Sequence, residues 1–240
     1  MPVISFDVWG TLISPRAYVW EVARHLAAYM SRDVSEVFRQ ILEGYARIKE
    51  LRAKEKVRPE RIVQDSLQVL LEVLDLSNAE PAKMSLAKAI LSVDSNDLVL
   101  DSSPEVLREV RKRGFNVVTI GNVVFWPSWY TRALLEKCGL SPLIDVQVYA
   151  DEVWCYKPRP CIFEAAEKSL EAAGIEPRIV AHIGDNFRED FVGALWYGLK
   201  AVFIDREGLF AKAPAVLIPS KGFVIKRLGE LLSIIDTWMD

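Results

Sequence analysis

Apolar positions follow two rhythms along this chain. The first five residues after Met1 and Pro2 set the first: Val3-Ile4-Ser5-Phe6 is a short, nearly continuous apolar run that ends on Asp7 and a Gly10-Thr11 turn. Such a run predicts a buried strand whose carboxyl end presents one carboxylate to a cleft. The second rhythm is helical. Apolar residues recur at three- and four-residue spacing over Tyr18 to Met30, Val34 to Leu51, Arg61 to Leu74 and Pro81 to Leu91, and no strand pattern interrupts residues 15–98. This predicts a small helical bundle inserted after the first strand.

Beyond residue 98 strands and helices alternate. Ser103-Pro104-Glu105 opens a helix, with Ser102 or Ser103 as N-cap, and Gly114 closes it. Strands are predicted at Phe115 to Ile120, Ile144 to Tyr149, Ile179 to Ile183 and Ala201 to Ile204. Helices are predicted at Tyr130 to Lys137, within Arg159 to Ala173, at Asp190 to Tyr197 and at Leu228 to Trp238. The alternation implies an α/β fold, a doubly wound parallel sheet. Its core would comprise residues 1–14 and 99–240, with residues 15–98 as the helical insert.

Composition narrows the function classes. An apolar fraction of 51 % suits one large domain or a core with an insert. A net charge of −3 gives no electrostatic support for a nucleic-acid partner. No apolar run approaches membrane-spanning length, and the start lacks a basic stretch followed by an apolar one. Cys138, Cys155 and Cys161 are odd in number and form no C-x-x-C, so free thiols and a cytoplasmic location are expected. Oligomeric state has no signal in the sequence.

In an open parallel sheet, ligands bind beyond the carboxyl ends of the strands. Four segments place polar residues there: Asp7, Gly121-Asn122, Lys157 and Asp185-Asn186. A lone aspartate after a strand usually caps a helix. Two carboxylates, a lysine and glycine turns at four strand ends point instead to a site. No G-x-x-x-x-G-K-[ST], G-x-S-x-G or G-x-G-x-x-G occurs, so P-loop, serine-hydrolase and dinucleotide chemistry lose their usual support.

These segments resemble the motifs of the haloacid dehalogenase (HAD) hydrolase superfamily. Phe6-Asp7-Val8-Trp9-Gly10-Thr11-Leu12 resembles its first motif, and Gly121-Asn122 falls at the second. Lys157-Pro158-Arg159-Pro160 resembles the third, and Gly184-Asp185-Asn186 followed by Asp190-Phe191-Val192-Gly193-Ala194 the fourth. The resemblance implies a HAD-like Rossmannoid core with residues 15–98 as a type-1 helical cap. It implies that Asp7 is a nucleophile forming a covalent aspartyl intermediate. Lys157 would position Asp7 and offset substrate charge, while Thr11 and the backbone of the Gly10 turn would orient the attacked group. Trp9, Gly121 and Asn122 would contact substrate. In the metal-dependent members Mg²⁺ is held by the counterparts of Asp7, Asp185 and the Trp9 backbone carbonyl, with Asp190 in the outer shell. Glu189 is a lesser candidate. The implied partner is a small anionic substrate.

Three positions depart from the family pattern. Phosphatases of the family carry an acid–base aspartate two residues after the nucleophile, worth roughly 10²–10⁴-fold; here Trp9 stands there. Dehalogenases carry tyrosine at that position, since a halide leaves without a proton, so Trp9 looks dehalogenase-like. Dehalogenases have serine where this chain has Asp185, which looks metal-binding. Gly121 occupies the Ser/Thr position of the second motif; Asn122 is either a replacement anion donor or a turn residue. The favoured reading is a Mg²⁺-dependent phosphohydrolase on a small phosphorylated metabolite, because a buried acidic pair without a cation is costly. The alternatives are a metal-independent 2-haloacid dehalogenase-like hydrolase and a catalytically weak phospho-ligand-binding protein. A purely non-enzymatic interaction protein would leave Asp7, Lys157 and Asp185 unexplained.

The insert has a basic stretch, Arg47, Lys49, Arg52, Lys54, Lys56, Arg58 and Arg61. Most of it is expected to be a solvated, charge-paired face, with a minority reaching toward substrate. Trp20, Tyr45, Phe125, Trp126 and Trp129 are candidate cleft residues, with ordinary packing as the alternative. His25 and His182 are expected to be structural.

Overall fold

The first strand sits in the middle of the molecule. In the computed structural model, which describes residues 1–210 and 214–238, β1 (Val3–Phe6) is buried along its whole length. Residues 211–213 and 239–240 of the expected core lie outside the described residues. Strands β2 (Asn116–Gly121), β3 (Val146–Tyr149), β4 (Ile179–Gly184), β5 (Lys200–Ile204), β6 (Ala215–Ile218) and β7 (Gly222–Ile225) complete one sheet. Its order is β3-β2-β1-β4-β5-β7-β6, parallel except for β6 against β7. A near-continuous apolar strand such as β1 or β2 is what a sheet covered on both faces demands.

The register positions the site. Phe6 pairs with Thr119 of β2 and with Ile183 of β4, and the Asp7 N–H donates to the Ile183 carbonyl at 2.8 Å. Asp7, Gly121 and Asp185 therefore leave the sheet within two residues of one level. The chain passes from β1 to β2 on one side and later to β4 on the other, so the crevice opens at Asp7.

Between β1 and β2 lie α1 (Pro15–Met30), α2 (Val34–Ala53), α3 (Ile62–Leu74) and α4 (Glu80–Ser92). Helix α1 packs on α2 and α4, and α2 packs on α3. Ser14 caps α1 by accepting from the Ala17 N–H at 3.2 Å, and Asp33 caps α2 by accepting from Glu36 N–H at 3.0 Å. The bundle leaves and rejoins the sheet at one place: Ser14 N–H donates to Leu98 O at 2.7 Å and Leu100 N–H to Leu12 O at 3.0 Å.

Some expectations from sequence are corrected. Leu228 to Trp238 is not one α-helix but two 3₁₀ stretches, Leu228–Ser233 and Ile235–Trp238. The Ser233 hydroxyl donates to the Glu230 carbonyl at 2.7 Å and Ile234 N–H to Leu231 O at 3.0 Å, tighter local bonds that compete with the α-helical ladder. The hairpin β6–β7, unanticipated, occupies the sheet edge. Neither Ser102 nor Ser103 caps its helix through its side chain; the Ser103 hydroxyl donates to Leu12 O at 2.8 Å instead. Asp190 to Tyr197 divides into a π-helical turn, Phe187–Val192, and the α-helix Gly193–Tyr197. Cys155 and Cys161, expected as free thiols, form a disulfide; six residues apart, their Cα atoms lie 6.1 Å from each other, within bridging reach. Cys138 is free. Among the described residues no helix is long and apolar enough to cross a membrane.

Candidate active site

Asp7 and Lys157, 150 residues apart in sequence, meet at the end of β1. The Lys157 ammonium lies 2.7 Å from an Asp7 oxygen and 2.7 Å from an Asp190 oxygen. It is 1 % exposed, so these pairs are not diluted by water. Its main chain is pinned by Asn122: Lys157 N–H donates to Asn122 Oδ1 at 2.9 Å, and Asn122 Nδ2 donates to Lys157 O at 3.1 Å. The Cys155–Cys161 bridge and a cis Lys157–Pro158 peptide bracket the same loop.

Glycines let the carboxylates approach. Gly10 has φ +89°, and a Cβ there would stand 2.2 Å from Asp185 Oδ2. A Cβ on Gly184 would stand 2.2 Å from Asp190. The Thr11 hydroxyl donates to Asp7 at 3.4 Å. Asp190 is fully engaged, by Lys157, by His182 Nε2 at 3.2 Å and by the Asn186 N–H at 2.9 Å. The π-helical turn, capped by Asn186 accepting from Arg188 and Glu189 N–H groups, swings Asp190 into this position. Asp185 has neither hydrogen bond nor ion pair among the described residues, although it stands beside Asp7 and Asp190.

Oxygen atoms of Asp7, Asp185 and Asp190 lie within 4.8 Å of one another. Three carboxylates therefore cluster around one ammonium, which pairs with two of them, Asp7 and Asp190. Burial pushes Asp7 up to about 6, with Asp190 adding to the rise and Lys157 opposing it. Burial pushes Asp185 up to about 8, reinforced by Asp7 and Asp190. For Asp190 burial is outweighed by Lys157 and His182, and its carboxyl falls below the ordinary range. Burial and Lys157 hold His182 down, at about 4, so its imidazole is neutral. An unpartnered Asp185 next to a second carboxylate suits a hard divalent cation, which takes oxygen ligands. Asp7 and Asp185 are placed to hold one, and Asp190, with its oxygens spent, would act from the outer shell.

Trp9 is turned away from proton chemistry. Its indole N–H donates to the Thr131 hydroxyl at 3.1 Å. Its ring packs on Tyr18 and Trp126, with centroids 5.5 and 5.0 Å away. The second motif is also closed to a hydroxyl: a Cβ on Gly121 would lie 2.8 Å from ring carbons of Tyr149. Asn122 gives both its amide groups to the protein, since Nδ2 also donates to Glu189 at 2.9 Å. It ties loops together and has no spare donor for an anion. Gly121 offers main chain alone, and Thr119 is buried within β2.

The opposite wall comes from α2. Tyr45, Lys49 and Arg52 fall on one helical face. Arg52, 4 % exposed, pairs with Glu189 at 3.0 Å and donates to Val123 O at 3.0 Å. Sequence reasoning missed this pair and the contact of His182 with Lys157 and Asp190; nothing in a single sequence marks which cation of a basic stretch turns inward. Four others of that stretch are charge-paired as expected. Arg47 pairs with Glu72, Lys54 with Glu50, and Arg58 and Arg61 with Asp65 on the surface. Of the candidate aromatics, Tyr45 faces the site, Phe125 and Trp126 are buried beside it, and Trp20 and Trp129 are exposed. His25 contacts Ser92 and Glu21. Asp7, Trp9, Tyr45, Lys49, Asn122 and Asp185 enclose a nook of about 20 Å³, room for a water or a cation. A cleft of about 550 Å³ adjoins it, sharing Tyr45, Lys49 and Asp185.

Residues 1–198 match the model of the haloacid dehalogenase-like hydrolases. The chain belongs to that family. It is 25 % identical over 205 residues to the (S)-2-haloacid dehalogenase of Pseudomonas sp. (strain YL), covering 85 % of this chain and 83 % of that protein. It is 30 % identical over 141 residues to the bovine haloacid dehalogenase-like hydrolase domain-containing protein 3 and 30 % over 140 residues to the phosphoserine phosphatase of Thermus thermophilus. Each of these two matches covers 58 % of this chain and spans about half of the relative, 52 % and 54 %. In three dimensions the chain is similar to the putative HAD-hydrolase YfnB from Bacillus subtilis bound to magnesium, with TM-score 0.75, 17 % identity and 98 % of both chains covered. That likeness concerns the fold. This HAD-like chain thus has relatives of both kinds, phosphatase and dehalogenase.

Proposed function

We propose that the protein is a Mg²⁺-dependent phosphohydrolase acting on a small phosphorylated metabolite, with residues 15–98 as its cap. The observation that carries this reading is the unpartnered Asp185 facing Asp7, in a buried cluster of three carboxylates and one ammonium. A halide displaced from carbon has no use for that second carboxylate. When bound there, a divalent cation would offset the two carboxylates and let an anionic group approach Asp7.

In this reading Asp7 attacks phosphorus and the bond from phosphorus to the leaving oxygen breaks. Lys157 keeps the Asp7 oxygen oriented. Trp9 has no proton to give, so the leaving oxygen takes its proton from water, or departs without one where it is already a good leaving group, as in an acyl phosphate. Water then attacks the aspartyl phosphate, releasing phosphate and restoring Asp7.

Trp9 favours a second reading, a 2-haloacid dehalogenase-like hydrolase. There Asp7 attacks carbon, halide leaves unprotonated, and water hydrolyses the resulting ester. The relative from Pseudomonas supports it. The deciding experiment measures phosphate and chloride release side by side, with Mg²⁺ and with EDTA, on wild type and Asp7→Asn. Mg²⁺-dependent phosphate release abolished by Asp7→Asn is expected. Chloride release indifferent to EDTA would replace the first reading with the second.

A further inference from the structure

Lys49 is a half-buried cation that forms no ion pair among the described residues, although Asp185 and Glu189 lie near enough to favour its charged form. In the basic stretch Arg47 to Arg61, Lys49 and Lys56 alone lack an ion pair among the described residues, and Lys56 is exposed. Lys49 instead lies over the Tyr45 ring, 5.3 Å from its centroid. Both residues line the nook at Asp7 and the 550 Å³ cleft beside it, so they stand at the passage between the two. The Tyr45 hydroxyl has no hydrogen-bond partner among the described residues.

The opposite side of the nook is short of donors. Gly121 has no hydroxyl and cannot be given one beside Tyr149. Asn122 is spent on Lys157 and Glu189. The ammonium of Lys157 is already shared by Asp7 and Asp190. An anion brought to Asp7 thus meets three carboxylates and an occupied lysine on the sheet side. The cation with capacity to spare is on α2. Its ammonium carries three donors, and a flexible four-carbon stem lets it follow a ligand.

We propose that Lys49, together with the Tyr45 hydroxyl, is the contact by which the helical bundle holds the anionic group presented to Asp7, supplying from α2 the donors that the second motif lacks. This rests on the reading that an anionic group is brought to Asp7, whichever bond is then broken. Arg52 cannot substitute, because Glu189 and the Val123 carbonyl hold it.

The test uses two probes too small to reach a distant subsite: inorganic phosphate and lactate, titrated calorimetrically into the 240-residue chain with Mg²⁺. Wild type is expected to bind at least one. Lys49→Met should weaken that binding about ten- to a hundredfold, the worth of a charged hydrogen bond. Lys49→Arg should retain most of it, and Tyr45→Phe should lose a smaller part. Kinetically, Lys49→Met should raise KM more than it lowers kcat. Thermal melts of Lys49→Met matching wild type exclude a folding defect. Unchanged affinity in Lys49→Met, or a wild type that binds neither probe, overturns the proposal. Lysine-dependent lactate binding without phosphate release would retire the phosphohydrolase reading and keep this one.

Discussion

The indole N–H of Trp9 donates to the Thr131 hydroxyl at 3.1 Å, two residues along the chain from the Asp7 carboxylate. The ring is 7 % exposed and boxed by Tyr18 from α1 and Trp126 from the loop after β2. A position that could host an acid instead joins the bundle to the sheet. Trp9→Phe keeps part of the ring and loses the hydrogen bond, so about 1–3 kcal/mol of stability should go. Trp9→Asp should lose about 3–5 kcal/mol, since it also leaves a cavity. In whatever fraction folds, phosphate release from a simple ester should rise if a missing acid limits the rate. Urea unfolding checks the first part; an unaltered midpoint in Trp9→Phe would contradict the packing role.

Asp185 is destabilising until something offsets it. Without metal, folding must either bury a charge at Asp185 beside Asp7 or put a proton on it, and Asp185→Asn removes that cost and should raise the melting temperature. With Mg²⁺ at a hundred times its dissociation constant, wild type should gain about 2.7 kcal/mol. Asp185→Asn should lose that gain. Thermal melts with and without Mg²⁺ decide it, and an equal metal response in both proteins would argue against a cation at Asp185.

Arg52 and Glu189 form a buried pair between α2 and the π-helical turn. Arg52→Ala leaves a carboxylate buried beside Asn122 and should cost about 3–5 kcal/mol. The double change Arg52→Met with Glu189→Leu should cost less than the sum of the single ones. A double-mutant cycle by chemical denaturation measures the coupling, and strict additivity would mean that the pair contributes nothing of its own.

His182 makes stability depend on pH. Its folded value of about 4 lies below the ordinary 6.5. Between those values the unfolded chain takes up a proton at this position that the folded chain does not, so the His182 contribution falls as pH drops from 6.5 to 4 and levels off below, while the raised carboxyls of Asp7 and Asp185 act in the opposite direction. The full effect is about 3 kcal/mol. His182→Gln can place an N–H toward Asp190 and should remove that contribution, so its stability relative to wild type should rise as pH falls through that window. Unfolding free energies at pH 7 and pH 4.5 for both proteins test this; a difference between them that stays the same at both pH values would contradict the His182 contribution.

Much of the site is legible in the sequence because strand ends are local events. An apolar run ending in Asp7, a turn at Gly10 and the Gly184-Asp185 pair each announce a carboxyl end of a strand through patterning alone. The edge hairpin β6–β7 and the 3₁₀ stretches near Leu228 were not legible, since short apolar runs there fit several conformations. The Cys155–Cys161 bridge was missed because cysteine counting cannot measure a Cα separation.

The sequence by itself determined the α/β alternation, the helical insert and the residues at the strand ends. These follow from periodicity and from turn chemistry, which are properties of neighbouring residues. Only the tertiary structure decided what those residues face. Asn122 turned out to clamp Lys157 rather than to stand free, Trp9 to bond Thr131, Arg52 to pair with Glu189 and Lys49 to be left without an ion pair among the described residues. Each of these depends on which distant groups reach within about 3 Å. That distance is set by packing the bundle on the sheet, and no local pattern encodes it.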